Sequence, residues 1–160
     1  MREVFQKMEH PEKNEDKRIL EETVMGVIPA IAFTEKSSPI QCGLVFATNV
    51  MIVAFFKSKI ANIAGALRTP DYHIMKRAWA KYVNKPTASI LNEYRCYIIP
   101  YSEVTHLGAE ERGRIRKRCI LSVFTPQQQF TFFVNTSKRT LEPDVGLFLE
   151  RVGIKFSKGE

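Results

Sequence analysis

The stretch "IIPYSEVTHL", residues 98–107, constrains the fold more than any other part of the chain. A short apolar run meets a proline, and a polar–apolar alternation follows. Proline has no N–H to give to a ladder and its ring fixes φ, so it belongs where a chain leaves one strand for the next. The stretch therefore predicts two short strands, "RCYIIP" and "SEVTHLGAE", broken at a corner near Pro100.

The hydrophobic period around this corner switches twice. "TVMGVIPAIAFT" from Thr23 is apolar and β-branched, and Gly26 and Pro29 inside it predict an edge or bulged strand. "EKSSPIQ" reads as a loop. "CGLVFATN" and "VMIVAFF" read as a hairpin turning at Thr48-Asn49. Between residues 57 and 95 the period becomes helical. Ile60, Ile63, Ala64 and Leu67 share one helix face. A second helix is expected to start at Thr69 as N-cap with Pro70 in the first position, and to end at Pro86. Its apolar face carries Tyr72, Met75, Trp79, Tyr82 and Val83. Beyond the corner, "RCILSVFTP" and "QQFTFFVNT" are two more strands. "LEPDVGLFLERVG" closes as a helix with Val145, Phe148, Leu149 and Val152 on one face and Gly153 as its stop.

These elements predict a mainly β fold of seven strands. A two-helix insertion lies between the third and fourth strands, and the C-terminal helix caps one end of a small barrel or sandwich. Residues 1–22 form a charged arm with five basic and seven acidic side chains, residues 23–156 the domain, and residues 157–160 a tail.

The 160 residues suffice for one domain with a core. The longest apolar stretch, Gly43 to Phe56, is broken by Thr48 and Asn49 and is too short to span a bilayer. The amino terminus has no apolar segment of the secretory kind. The expectation is a soluble cytoplasmic protein, peripheral at the membrane when docked there. Cys42, Cys96 and Cys119 are widely separated and odd in number, which predicts small buried hydrophobes in a reducing compartment. His10, His73 and His106 share no metal-ligand spacing with them, and no cofactor is expected.

The order of elements resembles the pleckstrin-homology-like superfold, especially its GRAM and bacterial PH-like branches. "GLVFATNVMIV", Gly43 to Val53, stands where those domains carry G-x-x-x-x-T-[ND]-x-[RK]-[LIV], with Met51 in place of the usual basic residue. "IPYSEV", Ile99 to Val104, matches the later IP-[YLF]-[SD]-[DE]-[IV] pattern. The resemblance covers about residues 23–153. It implies that the proline marks the corner between two sheets, with Val104 and Leu107 toward the core and Tyr101 beside the corner. It also places the insertion in a loop that frames a lipid headgroup in PH domains, although here that loop is far longer.

A net charge of +7 favours anionic partners. The cations fall in two groups. The insertion holds Lys57, Lys59, Arg68, Lys76, Arg77, Lys81, Lys85 and Arg95 against Asp71 and Glu93, with Arg77, Lys81 and Lys85 in one helical register. Like charges four apart repel by a few tenths of a kcal/mol, a cost that an anionic partner would offset. The plainer reading is a solvated face over a helix packed by Trp79. The second group is "RGRIRKR", where Arg112, Arg114, Arg116, Lys117 and Arg118 make five basic residues in seven. In an extended conformation Arg112, Arg114, Arg116 and Arg118 share one side. Here the plainer reading is pairing with Glu110 and Glu111.

No Ser/His/Asp or Cys/His arrangement follows from spacing, and "IAGALRTP" is not a phosphate loop. The expectation is a non-enzymatic binding module that docks to an anionic membrane surface or a protein partner. One alternative is a nucleic-acid-binding module using the same cations, although no aromatic lies between Arg112 and Arg118 for base stacking. The other is a homo-oligomeric assembly domain using the apolar face of Tyr72, Met75, Trp79 and Tyr82.

Overall fold

The computed structural model describes residues 21–34, 37–55, 71–152 and 155–158. The charged arm up to residue 20, the helix expected at 57–68 with Lys57, Lys59 and Arg68, and Thr69, Pro70 and Gly153 lie outside them.

The chain is mainly β. Its strands are β1 (Gly26–Thr34), β2 (Ser37–Phe46), β3 (Val50–Phe55), β4 (Arg95–Pro100), β5 (His106–Arg112), β6 (Arg118–Phe124), β7 (Gln129–Val134) and β8 (Lys155–Lys158). They form one sheet in the order β4-β3-β2-β1-β7-β6-β5-β8. The first seven are mutually antiparallel, and β8 pairs parallel with β5. The helices are α1 (Tyr72–Trp79), α2 (Ala88–Leu91) and α3 (Lys138–Val152).

The expected break at Pro100 is present, but the strands on its two sides belong to one sheet rather than to two. β4 ends at Pro100, a 3-10 turn covers Tyr101–Glu103, and β5 begins only at His106. The Tyr101 hydroxyl donates to the Ala47 carbonyl at 2.9 Å, and its N–H donates to the Asn49 carbonyl at 3.0 Å. The corner is thus tied to the β2–β3 turn. Val104 and Leu107 are buried in the inner core.

The sheet curls so that β4, one of its end strands, faces β7 across that core. Tyr97 of β4 and Phe130 of β7 lie 5.4 Å apart between ring centroids. Inward residues of β1 to β7 share this core with Leu141, Val145 and Leu149 of α3, the helix expected to cap the fold. Ser137 starts that helix by accepting the N–H of Thr140 on its Oγ.

A second apolar cluster covers the outer face of β1 to β4. Val27, Val45, Val50, Ile52, Ala54 and Ile98 meet Trp79, Tyr82 and Ile90 of the insertion there. This explains two different strand patterns. β3 reads "VMIVAF" and is buried at every position, because both of its faces are covered. β6 and β7 alternate between buried and half-buried positions, because only their inner faces are covered.

Several expectations need correction. β1 is not an edge strand but joins the two halves of the sheet, while the bulged alternative holds: its register against β2 shifts between Ala32 and Thr34. It pairs with β2 along its length but with β7 only at Ile31 and Ala32. Pro29 is tolerated because that part of β1 has a ladder on one side alone. "SSPIQ" is strand rather than loop. Pro39 lies where the β1–β2 register shifts, between Ala32 and Thr34 on the partner strand. The α1 cap is Asp71, whose carboxylate accepts the N–H groups of His73 and Ile74 at 2.9 and 3.1 Å. The helix does not reach Pro86. A 3-10 turn at Ala80–Tyr82 and a left-handed Asn84 (φ 66°) end it, and residues 84–86 then pair with Thr23 and Val24. α2 and β8 were not expected at all.

Candidate functional site

The two basic groups meet different fates. In the insertion, Lys76 pairs with Asp144 of α3 at 2.6 Å. The Tyr72 hydroxyl donates to the same carboxylate oxygen at 2.8 Å. Lys76 is therefore part of the tie between the insertion and α3. Lys81 lies over the Tyr82 ring at 5.0 Å. Arg77 is exposed on α1, while Lys85 follows the left-handed turn at Asn84. The three-residue stripe Arg77, Lys81, Lys85 is thus broken, because α1 ends at Trp79, before its last two members.

The apolar face proposed for assembly is covered by the protein's own sheet. Tyr72, Trp79 and Tyr82 are buried and Met75 is half-buried. Trp79 packs at 5.7 Å from Tyr82 and 5.1 Å from Tyr94. Tyr82 donates its hydroxyl to Glu93 and shares a 3.0 Å hydrogen bond with Tyr94. Burial, and then the neighbouring Asp144, push the Tyr72 hydroxyl far above its ordinary range. Such groups hold a structure together.

The "RGRIRKR" segment is different. β5 and β6 pair up to Arg112↔Arg118, and residues 113–117 form the connecting loop. The extended alternation of four arginines is therefore not realised: Arg112 and Arg118 face each other across a ladder, and Arg114 and Arg116 sit in the loop. The loop is shaped by Gly113, whose φ is 100°. A Cβ there would lie 2.2 Å from the Arg116 carbonyl oxygen, so only glycine fits.

The plainer reading of this cluster holds for part of it. Glu110 pairs with Arg112 at 3.2 Å and Glu111 with Lys117 at 3.6 Å. Glu111 also accepts the Lys138 N–H at 2.8 Å. The Arg118 guanidinium lies over the Phe133 ring at 5.3 Å. Arg114 and Arg116 are exposed and have no ionic partner among the described residues.

Between these two arginines is Ile115, which is 97% exposed. The sequence reading passed over it, although its signal was visible: one aliphatic residue centred in a run of cations. A second missed feature is the outer face of β6, β7 and β1. Phe133 meets Phe33 edge to face at 6.2 Å, which continues the line from Arg118 across three strands.

Cys42, Cys96 and Cys119 are buried and free of disulfides. Burial pushes the Cys119 thiol up to about 11, with Glu111 adding to the shift. His106 is half-buried and stacks on Phe124 at 4.0 Å. Among the described residues no cluster of three His, Cys, Asp or Glu could hold a metal ion, and no helix is long and apolar enough to cross a membrane.

No family model matches the chain, and no curated protein does. Among solved structures it is similar to the hSac2 domain from human phosphoinositide phosphatase Sac2. The identity is 9%, the match covers 94% of this chain and 92% of that one, and the TM-score is 0.48.

Proposed function

We propose that the chain is a non-enzymatic, PH/GRAM-like binding module that docks to anionic membrane surfaces through its β5–β6 hairpin. One observation carries the reading: Arg114 and Arg116 are exposed on a shaped loop and have no ionic partner among the described residues. Cations held clear of their own carboxylates keep their charge for an external anion. Each such cation contributes about 1 kcal/mol at an anionic lipid surface. The PH-like element order, with Pro100 at the corner and α3 in the interior, supports the same class.

Nucleic acid is less well served. Base stacking needs an open aromatic face. The guanidinium of Arg118 already lies over Phe133, the half-buried aromatic beside the hairpin.

The test is co-sedimentation with vesicles of phosphatidylcholine alone or mixed with phosphatidylserine, at low and high salt. Binding is expected only with phosphatidylserine and only at low salt. The double variant Arg114→Glu, Arg116→Glu should weaken it at least about thirtyfold, since two contacts amount to about 2 kcal/mol. Arg77→Glu with Lys81→Glu should change it less. Wild-type binding undiminished in the hairpin variant would defeat the reading.

A further inference from the structure

The hairpin tip is not only basic. Ile115 is 97% exposed, against 61% for Ile74 and 42% for Phe33, the other large apolar side chains left open among the described residues. A lone exposed aliphatic residue is ordinary on a protein surface. Three features set this one apart. It is flanked on both sides by arginines that have no ionic partner among the described residues. It lies at the apex of a loop whose path is dictated by Gly113 closing against the Arg116 carbonyl. The neighbouring sheet face carries Arg118 over Phe133 and Phe133 against Phe33, so cationic and apolar surface continue together from the tip.

A polar partner would gain nothing from an aliphatic side chain between two guanidinium groups. Phosphates and carboxylates would be met as well by serine at that position. A bilayer differs because its chemistry changes with depth. Anionic phosphates lie at the headgroup level, and the acyl boundary begins about 5–10 Å beneath. Arginine stems reach along that gradient and keep their charged ends at the phosphates. An aliphatic residue between them then enters the acyl boundary.

We propose that Ile115 is a membrane wedge, inserted into the acyl boundary of an anionic phospholipid bilayer while Arg114 and Arg116 hold lipid phosphates. The proposal rests on the docking function above and adds an apolar component to it. Electrostatic docking alone fades as salt screens it, whereas wedge insertion is insensitive to salt. The wedge therefore sets how long the protein stays once charge has brought it in.

The experiment measures binding of wild type, Ile115→Ser and Ile115→Trp to phosphatidylcholine–phosphatidylserine vesicles. Nothing packs around so exposed a side chain, so neither variant disturbs the core. Ile115→Ser is expected to bind about tenfold more weakly, the equivalent of burying part of an isoleucine. In Ile115→Trp, the emission from residue 115 should shift to the blue on vesicles. Lipids brominated in the acyl chain should quench it, while the buried Trp79 gives an unquenched background in the wild type. If wild type binds vesicles and Ile115→Ser binds equally well, with no acyl-chain quenching at residue 115, the wedge is refuted and electrostatic docking stands. If wild type binds no vesicle, or binds single-stranded oligonucleotide instead, the docking function and the wedge fall together.

Discussion

The indole of Trp79 lies on the backbone of Gly43. A Cβ added to Gly43 would come within 2.9 Å of ring atoms Cε2 and Cζ2. The insertion reaches the outer face of β2 because that position has no side chain. Trp79 and Gly43 are 36 positions apart in the chain and form one packing unit. Gly43→Ala should overpack this contact and lower stability by about 1–3 kcal/mol. Trp79→Ala should cost about 3–5 kcal/mol, because it opens a cavity over β2 and β3. Equilibrium unfolding in guanidinium checks both. An unchanged midpoint for Gly43→Ala would mean that the indole can slide aside.

Two other glycines make opposite predictions. Gly113 has φ 100° and a backbone oxygen where its Cβ would go. Gly113→Ala should destabilise by about 1–3 kcal/mol and disturb the tip that carries Ile115. Gly146 lies inside α3, and a Cβ there meets nothing within 4 Å. Gly146→Ala should stabilise by up to about 1 kcal/mol through helix propensity. Thermal melts of the two variants should move in opposite directions from the wild type.

Most of the fold was legible because its strands carry their own period. Pro100 announced the corner, Thr48-Asn49 the hairpin, and Val145 and Leu149 the capping helix. Three parts were hidden, each for a physical reason. β8 has four residues, too few for a period, and its pairing with β5 is set by where α3 delivers the chain. Pro39 made "SSPIQ" look like a loop, because the register shift that accommodates a proline is a tertiary feature. α1 stopped early because Asn84 adopts a left-handed conformation that the apolar spacing does not reveal. The site was less legible than the fold. Counting cations could not separate Lys76, held by Asp144, from Arg114, which has no ionic partner among the described residues.

Asp144 joins the insertion to the capping helix through two partners of unequal worth. Lys76 is partly exposed, and an ion pair in water contributes little, about 0–1 kcal/mol. The Tyr72 hydroxyl is partly buried and would lose its acceptor. Lys76→Met should therefore change stability by less than about 1 kcal/mol. Asp144→Ala should cost about 1–3 kcal/mol, and Tyr72→Phe in the Asp144→Ala background should recover part of it. A double-mutant cycle in urea measures the coupling. Equal losses for Lys76→Met and Asp144→Ala would place the tie in the ion pair instead.

Alkaline pH should unfold this protein unusually easily. Burial raises the Cys42 and Cys119 thiols and the Tyr72, Tyr97 and Tyr101 hydroxyls above their ordinary values, so all five stay protonated in the folded chain. The unfolded chain ionises its thiols near 9.0 and its phenols near 10.0. Folded values that lie above unfolded ones mean stability that is complete below the unfolded value and is lost as pH rises toward the folded one. For Cys119 that window runs from 9.0 to about 11. The other four groups act in the same direction from the same starting region. The urea midpoint should hold steady from neutrality to about pH 9 and then fall with each further step. Cys119→Ala should fall less steeply between pH 9.0 and 11, because its thiol no longer contributes. A midpoint that stayed level to pH 11 would show that these groups ionise as freely in the folded chain as in the unfolded one.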